Sequence, residues 1–296
     1  MTVRVTEQLS DHAVGLDQRP AAEIAMLLLY GQIAAAEAVR GAVDAIALAA
    51  GTMADTISRG GRLHYVAAGS SGLMAAADAQ ELGGTFSIPA DQLRIHMAGG
   101  LPQGVEMPGD TEDQTDGLED ALQDLSGRDC VIAVSASGST PYTLAAADIA
   151  LGKGARLVAI ANNSGAALLR MADHPVLLET PPEVLSGSTR MGAGSAQKIA
   201  LNMLSTLMAV KLGHVHDGMM VNLRADNAKL LERATGMVGQ IADVPPDQAK
   251  NALRQAKGQV KPAVLIAARG VTLEYAERVL KETGGHLRAA LTRLSL

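Results

Sequence analysis

The sequence predicts an α/β protein built on a parallel sheet, with a small helical domain at its C-terminal end. Three observations carry this. Short apolar runs of β type alternate with helical segments from about residue 62 to residue 179, stretches rich in Ser, Thr and Gly follow two of those runs, and Val244-Pro245-Pro246 then breaks the pattern ahead of an internal repeat. Short apolar strands separated by helices belong to a parallel sheet covered on both faces.

From Pro20 to about Arg59 the spacing is helical: Ile24, Leu27 and Leu28 share a face, and Val39, Val43 and Ile46 recur at intervals of four and three. Strands are expected at 62–68, 93–97, 129–135, 155–161 and 175–179, with helices between most of them, and two further helices at 194–213 and 222–242. The proline break places a domain boundary at residue 244, leaving a larger domain over 1–243 and a helical one over 244–296. In the latter, Ala249, Leu253, Gly258, Val260, Lys261 and Val264 recur 27 positions on as Ala276, Leu280, Gly285, Leu287, Arg288 and Leu291. Two copies are too few for a solenoid.

Trp is absent, Phe occurs once and Tyr four times, while 48% of the 296 residues are hydrophobic. The core is therefore assembled from Ala, Leu, Val, Ile and Met. Charged residues make up 19% of the chain, below the roughly 25% usual for soluble domains, which points to surface covered by another subunit and hence to an oligomer; a homodimer is expected. A net charge of −6 and the lack of a Lys/Arg run argue against nucleic acid or an anionic membrane as partner. No stretch reaches the length of a membrane span, the N-terminal residues have no signal-peptide character, and Cys130 is the only cysteine. The expected location is the cytoplasm.

The first strand runs into Ala68-Gly69-Ser70-Ser71-Gly72, ahead of a helix. Small residues let the backbone approach a ligand, a helix N-terminus offers unpaired N–H groups, and hydroxyls add donors, a combination suited to a phosphate monoester. The third strand ends in Ser135-Ala136-Ser137-Gly138-Ser139-Thr140-Pro141, where four hydroxyls within six residues exceed what one helix cap requires. A third stretch, from Pro182 to Lys198, sets Glu183, Ser186, Ser188, Thr189, Arg190 and Ser195 before another helix. Neither a dinucleotide fingerprint nor a P-loop is present. His214-Val215-His216 has the alternation of a metal pair on a strand but lacks further ligands, and it is read with Cys130 and the methionines as packing.

At these three stretches the chain resembles the N-acetylmuramic acid 6-phosphate etherase family, within the sugar isomerase (SIS) fold group that also holds the glucokinase regulatory protein. Gly69-Ser70-Ser71-Gly72 followed by Ala77-Asp78-Ala79-Gln80-Glu81, then Ser137-Gly138-Ser139-Thr140-Pro141-Tyr142, and above all Pro182 to Lys198 carry the similarity, which extends over most of the chain. It implies an SIS-type three-layer sandwich with a five-stranded parallel sheet, a sugar phosphate held by Ser70, Ser71, Ser135, Ser137, Ser139 and Thr140, and Glu183 and Ser188 near the sugar. Glu81 falls on a family acid/base glutamate. The family's second glutamate aligns with Gly109, so the resemblance leaves Asp110, Glu112 or Glu106 to substitute for it.

The implied reaction is removal of the C2 proton of the open-chain sugar, loss of D-lactate from C3 and addition of water, which calls for carboxylates and no metal or redox cofactor. Proton transfer on another amino-sugar phosphate and non-catalytic sugar-phosphate sensing stay open beside it. Ten residues separate Ser71 from Glu81, about 15 Å on an unbroken helix. Either that helix ends early or Glu81 serves a partner subunit's site.

Overall fold

The computed structural model describes residues 4–107, 111–223 and 228–295. The chain divides into two compact units, Met1–Gln80 with Asp91–Ser205, and Glu81–Ala90 with Thr206–Leu296.

In the first unit α1 (Ala21–Ala38) and α2 (Val43–Ser58) are joined by one 3-10 turn at Val39–Ala42. The order then runs β1 (Leu63–Ala67), α3 (Gly69–Phe86), β2 (Leu93–Met97), α4 (Leu118–Ala121), β3 (Cys130–Val134), α5 (Pro141–Gly152), β4 (Arg156–Ala161), α6 (Ala167–Met171), β5 (His174–Leu177) and α7 (Gly192–Lys211). All five predicted strands form, with no end shifted by more than two residues and the second strand matching at both ends. They make one parallel sheet in the order β2-β1-β3-β4-β5.

Successive side chains of a strand point to opposite faces, and both faces here are covered. On one, Val66, Val131, Ala133, Leu157 and Ala159 pack with Leu118 of α4 and Leu122 just past it, Ala146, Ala147 and Ala150 of α5 and Leu168 of α6. On the other, the Tyr65 hydroxyl reaches Asp78 of α3, and α2 packs across β1, β3 and β5. The result is a three-layer sandwich. Alanines at the facing positions of β3, β4 and α5 are wholly buried, so helix and sheet approach closely without aromatic filler. Helix α2 turns Ile46, Ala49, Ala50, Met53, Ala54 and Ile57 inward. Helix α1 behaves differently: Ala35 is its one buried residue, and Met26, Leu29, Tyr30 and Ile33 stay 43–57% exposed.

The second unit holds a two-residue hairpin, β6 (Val215–His216) against β7 (Met219–Met220), turned by Asp217 and Gly218, both at positive φ. Helices α8 (Ala228–Ala242), α9 (Pro246–Gln255), α10 (Val260–Arg269), α11 (Leu273–Glu282) and α12 (Leu287–Arg293) follow. The helix expected over 222–242 starts later, since Asn222 and Leu223 are not helical and 224–227 lie outside the described residues. The two copies of the repeat are α9–α10 and α11–α12, and their buried positions build a single core with Met237 and Val238 of α8. The Val244-Pro245-Pro246 turn lies within this unit, joining α8 to α9. Among the described residues no three His, Cys, Asp or Glu side chains converge as a metal site would need, and no helix is long and apolar enough to cross a membrane.

Two histidines sit inside the sheet. His64 of β1 is wholly buried, its Nδ1 lies 3.1 Å from Nε2 of His96 on β2, and the rings stack at 5.2 Å. Burial first, and the neighbouring ring second, hold the His64 pKa down to about 4; burial lowers that of His96 as well. As pH falls from 6.5 toward 4 the unfolded chain takes up protons that the folded chain refuses, so stability declines through that window. Urea melts at pH 7 and pH 5 should show His64 contributing about 2 kcal/mol to this decline. A His64→Gln variant should have a correspondingly shallower pH dependence.

Candidate functional site

Open sheets of this kind place ligands outside the carboxyl ends of the strands, where the strand order reverses. The reversal here falls between β1 and β3: β1 leads through α3 to β2 on one side, and β3 leads through α5 to β4 on the other. β1 and β3 are in register from Leu63↔Cys130 to Ala67↔Val134. Their outgoing loops therefore start side by side.

After β1 the chain enters α3 at Gly69, whose φ of +54° suits a residue without Cβ. Ser70 and Ser71 occupy the first turn, and neither hydroxyl bonds to another described residue. After β3 the hydroxyls bond to one another. Ser135 Oγ lies 2.8 Å from Thr140 Oγ1 and 3.3 Å from Ser137 Oγ, and it accepts the Gly138 amide at 3.0 Å. Ser137 Oγ accepts both the amide (3.2 Å) and the hydroxyl (3.1 Å) of Ser139. Thr140 is the N-cap of α5 yet makes no side-chain cap bond, because its hydroxyl is directed at Ser135. The four hydroxyls thus form one cluster at the N-terminus of α5, beside the N-terminus of α3.

Glu112 connects the two loops. Its carbonyl accepts the Tyr142 amide at 3.0 Å, and its carboxylate lies against Gly69, so close that a Cβ there would be 2.5 Å from Oε1. The helix dipole favours negative charge at that spot. Gly109 and Asp110 lie outside the described residues, and Glu106 is exposed. Glu81 is not brought to the loops by a helix break, because α3 runs unbroken from Gly69 to Phe86 and leaves Glu81 exposed about 15 Å along the axis from Ser71.

The third stretch caps α7. Glu183, 7% exposed, accepts the Gly192 amide on Oε2 (3.0 Å) and the Ala193 amide on Oε1 (2.8 Å). Both carboxylate oxygens, which the resemblance places near the sugar, are engaged at the helix N-terminus. Ser188 is half-buried, and its amide bonds to the Leu185 carbonyl.

Two groups escape sequence reasoning. Asp78, read only as part of a motif, is buried and accepts from Tyr65 Oη (3.1 Å), Asn202 Nδ2 (2.9 Å) and Ser205 Oγ (2.9 Å). Burial raises its pKa even so. Asn163, just past β4, donates to the Ala136 carbonyl within the serine loop and to Thr6 Oγ1, tying the N-terminal segment to this edge of the sheet. An Asn between Asn162 and Ser164 offers no signal of that in sequence.

Comparison with known proteins now bears on this geometry. The chain is 41% identical to N-acetylmuramic acid 6-phosphate etherase of Deinococcus radiodurans, covering 97% of this chain and 95% of that protein. It is 38% identical to the protein of that name from Streptomyces avermitilis, over 97% and 93%.

The chain belongs to the N-acetylmuramic acid 6-phosphate etherase family.

The SIS domain profile matches residues 106–212, the stretch from the Glu112 segment through the whole of α7. A solved structure of a protein from Escherichia coli CFT073 superposes with a TM-score of 0.51 at 14% identity, covering 68% of this chain and 97% of that one. That likeness shows a shared fold. Membership of the etherase family makes the chain one of a family of enzymes.

Gly138 is the most constrained position of the cluster. Its φ is +63°, and a Cβ there would collide with Ala166 Cβ and lie 3.0 Å from Ala161 Cβ. Gly138→Ala should cost about 1–3 kcal/mol of stability in thermal melts. It should also weaken binding of a hexosamine 6-phosphate measured by calorimetry.

Proposed function

We propose that this protein is a carbon–oxygen lyase that cleaves the D-lactyl ether of N-acetylmuramic acid 6-phosphate, yielding N-acetylglucosamine 6-phosphate and D-lactate. The observation that carries the reading is the convergence of the two hydroxyl-bearing loops at the β1/β3 reversal, with a carboxylate between them. Ser70 and Ser71 contribute hydroxyls without a hydrogen-bond partner among the described residues, and Ser135, Ser137, Ser139 and Thr140 a cluster whose protons can rotate toward phosphate oxygens. The open N-termini of α3 and α5 add positive potential at the same place.

With the phosphate anchored, the open-chain sugar presents C2–H beside its C1 aldehyde. A carboxylate removes that proton, and the electron pair forms the C2–C3 double bond as the C3–O bond breaks. The departing oxygen is protonated by an acid and leaves as the hydroxyl of lactate; water then adds at C3, and C2 is reprotonated. We assign one proton-transfer role to Glu81 and the other to Glu112, standing in for the glutamate that Gly109 replaces. Asp110 is the alternative for that second role. Glu183 serves by fixing the start of α7 beneath the sugar, and Ser188 contacts it. Glu112→Gln should lower the rate of lactate release by about 10²–10⁴-fold while sugar-phosphate binding persists. If Asp110→Asn alone had that effect, Asp110 would hold the role. Exchange of solvent deuterium into C2 without lactate release would instead indicate proton transfer on another amino-sugar phosphate.

The unbroken α3 supports a shared site in which Glu81 acts on sugar bound to the partner subunit's loops. The exposed stripe Met26, Leu29, Tyr30 and Ile33, spaced to lie on one face of α1, supports a homodimer. Co-expressed Glu81→Gln and Ser137→Ala chains should together regain activity that neither variant has alone. Absence of rescue in a verified mixed dimer would refute the shared site. The substrate's phosphate bars it from crossing a bilayer unaided, so the reaction belongs to the compartment where the sugar is phosphorylated, which we propose is the cytoplasm.

A further inference from the structure

The second unit contains a cavity of about 640 Å³ that the reaction does not use. Its wall comes from both copies of the repeat: Lys257, Gln259 and Lys261 from the turn into α10, and Glu277 and Gly285 from the second copy. The volume lies within the range of small-molecule sites.

Lys261 is the unusual group in this wall. It is 8% exposed, and its ammonium donates to the Gly285 carbonyl at 3.0 Å. Among the described residues no carboxylate lies within ion-pair distance of it, and the first turn of α10, where it sits, carries no acidic residue. A buried cation at a helix N-terminus is opposed twice, by loss of water and by the positive end of the helix dipole. Its surroundings do little to offset this. Lys257 adds a second cation to the same cavity, the nearby His214 is kept neutral by burial, which holds its pKa down to about 4, and Glu277 is the one acid among the described residues of the wall. Burial holds the Lys261 pKa down to about 8, consistent with a cation that still has no counter-ion.

The repeat supplies an internal control. Arg288 holds the matching position in the second copy, where it is exposed and pairs with Asp217. The same cationic position thus has an acidic partner in one copy and faces a cavity in the other.

We propose that this cavity binds a small organic or inorganic oxyanion, a phosphate or carboxylate group, with Lys261 as its principal counter-ion. Both proposed products of the reaction carry such a group, so either can act there as an effector. The site stands on the second unit alone and does not depend on the etherase reading.

The test is calorimetric titration of the full chain with inorganic phosphate and, separately, with D-lactate, using a Ser135→Ala/Ser137→Ala background to silence the serine loops. One site should remain for at least one of the two probes. Lys261→Met in that background should weaken it at least tenfold, while Lys261→Arg retains it. A thermal melt of Lys261→Met should show a folded protein, since a methionine replaces an unpaired buried charge. Should that variant not fold, amide resonances of Gly258 to Lys261 in the serine-loop background report directly, and they should shift on adding whichever probe binds. The inference is overturned if neither probe binds, if Lys261→Met binds as tightly as its parent, or if those resonances stay unmoved at saturating anion.

Discussion

The parallel pairing of β1 with β3 is the constraint on which the candidate site rests. Two strands far apart in sequence are hydrogen-bonded in register to their last residues, Ala67 and Val134. Because their crossovers leave in opposite directions, a crevice opens at the carboxyl ends of that pair. A phosphoryl group needs several donors at about 2.7–3.0 Å. Two short loops from adjacent strands, with strand centres about 4.8 Å apart, can deliver them. Gly138 fits against Ala161 and Ala166, and the loop after β3 can fold this tightly only because all three residues are small. The scarcity of aromatic residues has the same consequence at the scale of the whole sheet.

The helices that present the loops are held by buried carboxylates rather than by apolar contact alone. Asp78 joins α3 to β1 and α7 through three donors, and Glu183 closes the N-terminus of α7 with two more. A buried carboxylate without such partners would cost several kcal/mol. With them it fixes orientation as well as position, since its lone pairs accept from few directions. These two acids are therefore committed to holding elements in place, whereas Glu81 and Glu112 are exposed.

The repeated helical unit illustrates how one local motif diverges by its surroundings. Gly258 and Gly285 both take positive φ at equivalent turns, and each is followed three residues later by a cation. Among the described residues, only the position after Gly285 meets a carboxylate. The Gly285 carbonyl itself accepts from Lys261 of the other copy, so the two turns are bonded across the pseudo-repeat.

What the sequence determined by itself is the part written in neighbouring residues. Strand and helix alternation over 62–179 appears where period and apolar run length place it, and the hydroxyl clusters at 70–71 and 135–140 announce their chemistry because the donors are adjacent in the chain. The signature from Pro182 to Lys198 is equally visible as a motif, but its glutamate proves to be a helix cap, since which amides reach Glu183 depends on how the loop closes. Glu112 could be listed among acids yet not placed at Gly69, and Asp78 gave no sign of its three partners. Each of those facts is a contact between groups distant in sequence. Only the tertiary structure decides them, because a lone pair or a buried charge is satisfied by whatever the folded chain brings within about 3 Å of it.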